Sequence, residues 1–270
     1  NGISDYIDSI KKLFSINQIN LDLVEDKDSK FDVIFIIEEF THNIIENNKF
    51  LLLKKKQGAK LCLVHTEFID KNGFSPLPPY IKRDPMPEDK KNYQTVYASR
   101  RGSVAAPTAG LHFSKDLLKK LEKKGVKVAY VTLHIGLGTF RSILVEDLTR
   151  HHMDSEYYEV PQETADLINE AKSKKKKVWT VGTSTVRTLE TVVVSGFQIT
   201  PKQGWTDKFI YPPYKFKMSD RLITNFHTPK STLMLLVAAF ANKDLVLEAY
   251  QEAIKKKYRF YSYGDAMLLL

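Results

Sequence analysis

The stretch VWTVGTSTVRTLE, residues 178–190, contains the local pattern that best indicates the fold. Residues 178–181 form a short apolar and β-branched run, which predicts a buried strand. This run leads directly into a polar turn that begins at Gly182, and then into a segment with a helical pattern. Because alternating strands and helices are typical of layered α/β domains, the stretch favours that fold class.

Similar helix and strand patterns alternate on both sides of this stretch. We predict further strands at residues 126–133, 222–226 and 258–263, and further helices that begin at Ser114, Pro161, Ser231 and Asp244. Ser114 is expected to cap its helix and Gly125 to end it. Residues 76–270 are therefore predicted to form one layered α/β domain.

Residues 1–75 have a different pattern, which is rich in predicted strands. Residues 33–37 form a continuous apolar run, and residues 50–53 and 60–64 are predicted to pair as a hairpin. The proline-rich segment PLPPY, residues 76–80, follows, and proline is unfavourable inside helices and central strands. We therefore place a domain boundary at the start of this segment.

Composition narrows the class of protein. The chain has 270 residues, of which 43% are hydrophobic, as is typical of a globular protein with a sizeable core. Its longest apolar run, residues 233–241, is too short to cross a bilayer, so no membrane association is expected. The single cysteine, Cys62, excludes an internal disulfide and a multi-cysteine metal site. With no secretory signal pattern visible, we expect a cytoplasmic protein without a metal.

Charge is unevenly distributed along the chain. The whole sequence has a formal net charge of +9, yet residues 1–60 contain 9 basic and 10 acidic side chains. The remaining residues therefore hold the entire positive excess. A basic region favours a polyanionic partner such as RNA, and a lysine-rich surface kept for solubility is the alternative that charge alone leaves open.

Three histidines lie at the ends of predicted strands or in the turns after them. They are His112, His134 and His227, and such strand ends are where α/β proteins place their ligands. Imidazole exchanges a proton near neutral pH, so the three are candidates for a shared acid–base site. For each one alone, a structural histidine bonded to a backbone carbonyl is the alternative.

The turn that begins at Gly182 is a candidate anion site. Its backbone amides and hydroxyls would suit a carboxylate or phosphate, since helix N-termini favour negative charge. Arg187 lies one turn further along and would bind the same anion through two hydrogen bonds. An ordinary helix cap with a surface arginine is the competing interpretation.

Several strings of residues resemble one family of enzymes. The strings are YQTVYA (93–98), SVAAPTAGLHF (103–113), LHIGLGTF (133–140), SEYYEVP (155–161), VGTSTVRTLE (181–190), WTDKFIYPPY (205–214), LITNFHTPKSTLMLLVAAFA (222–241) and YRFYSYGDAMLLL (258–270). They closely resemble the S-adenosylmethionine:tRNA ribosyltransferase-isomerase family of the bacterial queuosine pathway. The resemblance implies an α/β catalytic domain at residues 76–270 and a smaller, diverged or truncated β-barrel-like domain at residues 1–75.

The resemblance also implies a reaction. The ribosyl part of S-adenosylmethionine, which serves as a co-substrate, is transferred to the aminomethyl group of a 7-deazaguanine in the tRNA anticodon. Adenine and methionine are released, and the product is epoxyqueuosine. Such a reaction needs a general base, an acid for adenine, a group that binds the methionine carboxylate, and a pocket that excludes water.

The resemblance also implies roles for individual residues of the matched strings. The catalytic candidates are His112, His134 and His227 for acid–base work, with Glu156 and Asp207 bonding the ribose or the substrate amine. The candidates for binding S-adenosylmethionine are Gly136, Gly138, Thr139 and Phe140 against the nucleoside, Thr183, Ser184 and Arg187 on the carboxylate, and Tyr157 and Tyr211 facing the sulfonium. The candidates for tRNA phosphate contacts are Lys217, Lys230 and Arg259.

Two alternatives to this function stay open. The strings with which the family usually begins, D-F-D-F-x-L-P among them, are absent, so one alternative is a non-catalytic tRNA-binding relative that has lost activity with its N-terminal segment. The other is a methyltransferase with a Rossmann core, but the glycines after His134 are not followed by the strand–helix unit which that fold requires. For the transferase-isomerase function we expect a monomer.

Overall fold

The computed structural model describes residues 75–100, 102–103, 105–136 and 142–270. Within these ranges the chain folds into a mixed α/β arrangement, which confirms the predicted class for this part of the sequence. The β-barrel-like domain expected at residues 1–75 lies almost entirely outside the described residues. That domain and its boundary therefore stay predictions.

Helices and strands alternate along most of the described ranges. The helices are α1 (Asp89–Asn92), α2 (Lys115–Lys123), α3 (Gln162–Ser173), α4 (Thr183–Val192), α5 (Thr232–Ala241) and α6 (Lys243–Lys255). The strands are β1 (Thr132–His134), β2 (Glu156–Val160), β3 (Trp179–Val181), β4 (Val193–Val194), β5 (Gln198–Ile199), β6 (Lys202–Thr206), β7 (Arg221–Asn225) and β8 (Ala266–Leu269). None of these helices combines the length and the apolarity that a membrane span requires.

One three-stranded sheet contains the parallel pair that positions the candidate site. Strand β7 lies between β3 and β8, parallel to β3 and antiparallel to β8. In this register Thr180 lies opposite Leu222, and Ile223 lies opposite Leu268. Because β3 and β7 are parallel, their carboxyl ends meet at one edge of the sheet, beside the N-terminus of α4.

The core next to this sheet is formed by β7 and the helices α4, α5 and α6. Val186, Leu222, Leu236 and Val237 are each at most 1% exposed and belong to one hydrophobic cluster. Burying an aliphatic side chain of this size stabilises the fold by about 1.5–3 kcal/mol. This packing holds the end of β7 and the start of α4 in a defined position.

The second three-stranded sheet is antiparallel and has the order β1-β2-β6. Along β2, Glu156, Tyr158 and Val160 are buried, whereas Tyr157 and Glu159 are partly exposed. This alternation is typical of a strand with one face against a core. Tyr158 and Val160 pack in a second hydrophobic cluster with residues of α3 and α4, so the opposite face of the sheet lies at the surface.

The longer helices begin within a residue or two of the positions that the sequence predicts. The Ser114 hydroxyl accepts a hydrogen bond from the backbone amide of Leu117, and Pro161 immediately precedes α3. Gly125 follows α2 with a φ of 82°, in the left-handed region that favours glycine. Local capping signals therefore located these helix ends correctly.

Two predicted strands differ from the structure. The strand predicted at residues 126–133 is present only as β1, and residues 258–263 do not form a strand, since β8 begins at Ala266. The Asp265 carboxylate accepts hydrogen bonds from both the backbone amide and the guanidinium of Arg259. These local bonds close residues 259–265 into a turn and compete with pairing in a sheet.

Candidate functional site

A cavity opens where β3 and β7 end. Its wall is formed by the turn after β3, by the end of β7 and the residues after it, and by residues 105–109. Its empty space is about 710 Å³ with the open mouth included. Because α/β proteins bind ligands at the carboxyl ends of parallel strands, this cavity is the candidate functional site.

The N-terminus of α4 forms one wall of the cavity. Gly182 precedes this helix with a φ of 91°, a conformation that favours glycine, and no side chain caps the first turn. Thr183 and Ser184 line the cavity and are 5% and 8% exposed. The wall thus combines hydroxyl groups with the positive end of a helix dipole, which suits a carboxylate or a phosphate.

His227 is the histidine that lines this cavity. Its Nε2 atom lies 3.0 Å from Thr224 Oγ1, and its backbone amide donates a hydrogen bond to the Tyr250 hydroxyl. Burial lowers the pKa of His227 to about 4, because surroundings of low polarity disfavour the charged imidazolium. His227 is therefore neutral at neutral pH, and a neutral imidazole is able to accept a hydrogen bond from a ligand.

His112 lies beside the cavity and is joined to it through the wall residue Asn225. The Asn225 side-chain amide nitrogen lies 3.1 Å from the Tyr261 carbonyl and 3.0 Å from His112 Nε2, and its oxygen accepts a hydrogen bond from Thr108. The carbonyl accepts only from the NH₂ end of the amide, so His112 Nε2 must act as an acceptor. The His112 ring is therefore neutral, and partial burial also lowers its pKa.

His134 lies behind the cavity wall rather than in it. Its neighbour Ile135 lines the cavity, whereas the His134 ring packs against Tyr157 with the ring centroids 5.2 Å apart. The backbone of Gly102 touches the same imidazole so closely that a Cβ atom there would lie 1.6 Å from it. The three predicted histidines therefore do not all meet in this cavity.

Arg187 and Glu156 form a buried ion pair, and neither lines the cavity. Their side chains are each 4% exposed, and Arg187 Nη1 lies 2.5 Å from Glu156 Oε2. The guanidinium also donates to the backbone carbonyls of Thr206 and Lys208, and Glu156 accepts from the Gly136 amide. The structure thus directs the Arg187 guanidinium into the protein, where it joins α4 to β2 and to the chain after β6.

The other residues singled out from the sequence lie in several places. Three of them lie outside the described ranges, namely Gly138, Thr139 and Phe140. Four others lie at the surface, namely Asp207, Lys217, Lys230 and Arg259. Arg259 forms an ion pair with Asp265 and is 75% exposed. Tyr211 packs against Phe209 with the ring centroids 4.8 Å apart, and neither it nor Tyr157 lines the cavity.

An aromatic pair in the cavity was missed by the sequence reasoning. Tyr80 and Tyr261 line the cavity with their ring centroids 4.8 Å apart, and the Tyr80 hydroxyl lies 2.6 Å from Ser262 Oγ. The aromatic cluster at residues 258–263 is visible in the sequence, but nothing local relates it to Tyr80. Such a pair has ring faces that would suit a planar base or a cation.

The fold and the cavity define a class of protein. An α/β protein with a cavity at the ends of parallel strands, walled by a helix N-terminus and by aromatic rings, is suited to a small ligand that carries an anionic group. Across the described part of the chain, no three His, Cys, Asp or Glu side chains are grouped as a metal site would require.

Comparison with known proteins specifies this class further. The chain belongs to the family described as queuosine biosynthesis protein, whose model matches residues 13–269. A relative from Sulfurihydrogenibium sp. (strain YO3AOP1) named S-adenosylmethionine:tRNA ribosyltransferase-isomerase is 52% identical over 222 residues, which cover 81% of this chain and 65% of the relative. A relative of the same name from Flavobacterium psychrophilum is 56% identical over 198 residues, covering 73% and 57%. These findings confirm the resemblance seen in the sequence strings.

The chain spans only part of the length of the relatives it matches. It spans 65% and 57% of the lengths of the two relatives above, and 64% of a relative from Staphylococcus epidermidis that has the same name and is 53% identical over 220 residues. A crystal structure described as S-adenosylmethionine tRNA ribosyltransferase from Thermotoga maritima is 47% identical to it. That comparison has a TM-score of 0.49 and covers 60% of this chain and 51% of the other.

Proposed function

We propose that this chain acts in queuosine biosynthesis as an S-adenosylmethionine-dependent tRNA ribosyltransferase-isomerase. The proposal draws on the family, on the names of the relatives and on the groups in the cavity. In the proposed reaction the ribosyl group is transferred to the aminomethyl nitrogen of 7-aminomethyl-7-deazaguanine in tRNA, which gives epoxyqueuosine, adenine and methionine. The observation that carries the proposal is the cavity wall at the N-terminus of α4, close to the neutral His227.

The methionine carboxylate binds at the N-terminus of α4 in this proposal. The first-turn amides have no side-chain cap, and Thr183 and Ser184 supply hydroxyl donors in the same wall. An anion at a helix N-terminus is stabilised by roughly 0.3–2 kcal/mol, with the larger values in partly buried positions. This arrangement does not need Arg187, which the sequence interpretation had placed on the carboxylate.

His227 supplies the acid–base group. A neutral imidazole can remove a proton from the ribose carbon next to the sulfonium, whose positive charge acidifies that proton. The same proton is then available for the departing adenine, so the ring is restored to its neutral form. Thr224 Oγ1 lies 3.0 Å from Nε2, so this proposal assigns the proton transfer to Nδ1.

Tyr80 and Tyr261 face the sulfonium or the adenine. The sequence interpretation gave the sulfonium contact to Tyr157 and Tyr211, but the aromatic pair in the cavity is better placed for it. A cation over an aromatic face gains roughly 0.5–2 kcal/mol, depending on how far water is excluded. The pair therefore favours a positively charged sulfur nucleoside over a neutral one.

Exposed basic side chains meet the tRNA in this proposal. Lys217, Lys230 and Arg259 remain the candidates for phosphate contacts, and all three are exposed. Lys230 follows the cavity-lining residue Thr228 by two positions along the chain. A cytoplasmic location, where tRNA is found, belongs to the same proposal.

The test is a single incubation followed by product analysis. The full chain is mixed with S-adenosylmethionine and with tRNA that carries the deazaguanine amine, and free adenine is measured by chromatography. Adenine that appears only when both substrates are present supports the proposal. Binding of tRNA with no adenine release would overturn it in favour of the non-catalytic relative.

Variants of the cavity sharpen this test. Ser184→Ala should raise the KM for S-adenosylmethionine more than it lowers kcat, because it removes a carboxylate contact, whereas His227→Gln should lower kcat. Ser173→Ala is the matched control, since this serine is exposed at the end of α3. If His227→Gln and Ser184→Ala both behave like Ser173→Ala, the cavity is not the catalytic site.

A further inference from the structure

Two threonine side chains in the cavity have hydroxyl protons that are already committed. Thr108 and Thr185 both line the cavity and are partly exposed. The Thr108 hydroxyl donates to Asn225 Oδ1 at 3.1 Å, and the Thr185 hydroxyl donates to the Val181 carbonyl at 2.8 Å. Since a hydroxyl has one proton and two lone pairs, each oxygen is left with acceptor capacity only. We call these two residues the threonine pair.

The direction of the Thr108 hydrogen bond is fixed by the groups behind it. Asn225 is 2% exposed, and its amide nitrogen lies 3.1 Å from the Tyr261 carbonyl and 3.0 Å from His112 Nε2. The carbonyl has no proton to give, so the NH₂ end of the amide must face it and the oxygen end must face Thr108. Thr108 is therefore the donor in this bond, and its own oxygen is left to accept.

The direction of the Thr185 hydrogen bond is fixed by the backbone. Thr185 lies in the first turn of α4, and its hydroxyl bonds to the carbonyl of the residue four positions before it, at the end of β3. A carbonyl accepts only, so the threonine is again the donor. Within the described ranges, neither threonine oxygen receives a hydrogen bond from another protein group.

The threonine pair lies beside the start of α4. A Cβ atom built on Gly182 would lie 4.0 Å from Thr185 Oγ1 and 3.8 Å from the Cβ atom of Ala109, the residue after Thr108. Thr108 is also bonded to Asn225, the last residue of β7. Two acceptor oxygens are thus held at the ends of β3 and β7, next to the amides and hydroxyls that the first turn of α4 supplies as donors.

The cavity has to bind any positive group without a carboxylate. Among the described residues that line it there is no aspartate, glutamate, lysine or arginine, and His227 is neutral at neutral pH. The positive end of the α4 dipole disfavours a cation beside it unless acceptors are also present. Neutral oxygens that can only accept, such as those of the threonine pair, supply what an ammonium group needs there.

We propose that the threonine pair accepts hydrogen bonds from the α-ammonium group at the amino-acid end of the ligand, while the start of α4 binds its carboxylate. The inference rests on the proposed function, because it takes S-adenosylmethionine as the ligand. In an α-amino acid the two charged groups are attached to one carbon, so their partners in the protein must lie side by side. The first turn of α4 and the threonine pair are arranged in this way. The pair therefore selects a ligand that retains its amino group.

Binding of two ligands tests the inference without any turnover. The full chain is titrated in a calorimeter with S-adenosylmethionine and with an analogue that has hydrogen in place of the α-amino group. The wild type should bind S-adenosylmethionine roughly 10- to 100-fold more tightly, the range expected for hydrogen bonds to a charged group. Thr108→Val and Thr185→Val should each reduce this preference roughly 10-fold and leave binding of the analogue unchanged, because valine keeps the shape of threonine and lacks the oxygen.

Thr191→Val is the matched control. Thr191 is also partly exposed, lies on the same helix as Thr185 and donates to the carbonyl four positions before it, but it is not among the described residues that line the cavity. Thr108→Ser and Thr185→Ser should keep most of the preference, because serine retains the oxygen. The inference is overturned if the wild type binds the two ligands equally, or if either valine variant keeps the preference that Thr191→Val shows. Should Thr108→Val fail to fold, Thr185→Val alone decides between these outcomes.

The two proposals fail in different ways. A chain whose valine variants lose the preference for the amino group, but which never releases adenine, retains the ammonium site and refutes the proposed function. A chain that releases adenine while either valine variant keeps the preference retains the function and refutes the role of the threonine pair.

Discussion

Arg187→Ala should destabilise the fold by about 3–5 kcal/mol, because it leaves the Glu156 carboxylate buried without its ion-pair partner. Both side chains are only 4% exposed, so water cannot replace the guanidinium at low cost. The backbone carbonyls of Thr206 and Lys208 lose donors in the same variant. In a domain of this size each kcal/mol lowers the melting temperature by about 2–4 °C, so a fall of roughly 6–20 °C is expected.

Urea unfolding at pH 7, followed by tryptophan fluorescence, measures this effect. Arg100→Ala is the control, because its ion pair with Glu159 lies at the surface, where the arginine is 58% exposed, and it should cost about 1 kcal/mol or less. The double variant Arg187→Gln with Glu156→Gln should also be measured against the single variants Arg187→Gln and Glu156→Gln. Its loss of unfolding free energy should be smaller than the sum of the two single losses by about 1–3 kcal/mol.

The opposite result would refute this reasoning. The sequence interpretation places Arg187 on the substrate carboxylate, and in that case Arg187→Ala should weaken binding of S-adenosylmethionine with little effect on unfolding. An unfolding free energy that matches that of Arg100→Ala, together with lost ligand binding, would show that the guanidinium serves the ligand and not the fold.

Three further predictions follow from buried or capping groups. Stability should fall by about 1.4 kcal/mol per pH unit between about pH 6.5 and pH 4 through His227 alone, because the unfolded chain then takes up a proton that His227, with its lowered pKa, does not. Denaturation at several pH values should show a slope that is steeper by about this amount in the wild type than in His227→Gln, which keeps the contribution of His112. Glu190→Gln should cost about 2 kcal/mol in a melting experiment, because the Glu190 carboxylate is 1% exposed and accepts hydrogen bonds from the amides of Lys217 and Met218. Ser114→Ala should cost about 1 kcal/mol by urea unfolding through loss of the α2 cap, and an unchanged midpoint would contradict it.

Local signals in the sequence predicted the helices well. Ser114 and Ser231 begin helices where expected, because a capping hydroxyl acts on an amide only three residues away. Pro161 precedes α3 as expected, because its fixed φ suits the start of a helix. The strand predicted at residues 258–263 was wrong for a related reason. Arg259 and Asp265 form a local turn that the apolar pattern does not reveal.

The candidate site was only partly predictable. Two of its features, the turn after Gly182 and His227, lie at strand ends, which the alternation of elements already marked. Tyr80 and Tyr261 were not identified as a pair, because their contact joins opposite ends of the described chain. The position of His112 behind Asn225 likewise follows from how the segments pack, and neither residue signals it locally.

The sequence by itself determined the family, the α/β class and the ends of most helices, because each of these depends on residues close together in the chain. Only the tertiary structure decided that Arg187 pairs with Glu156, 31 positions away, and that His134, Tyr157 and Trp205 form one row. Burial and pairing depend on which distant segments pack together, and packing also sets the cost of leaving a charge without a partner. The same residue types could have been surface groups or ligands in another arrangement.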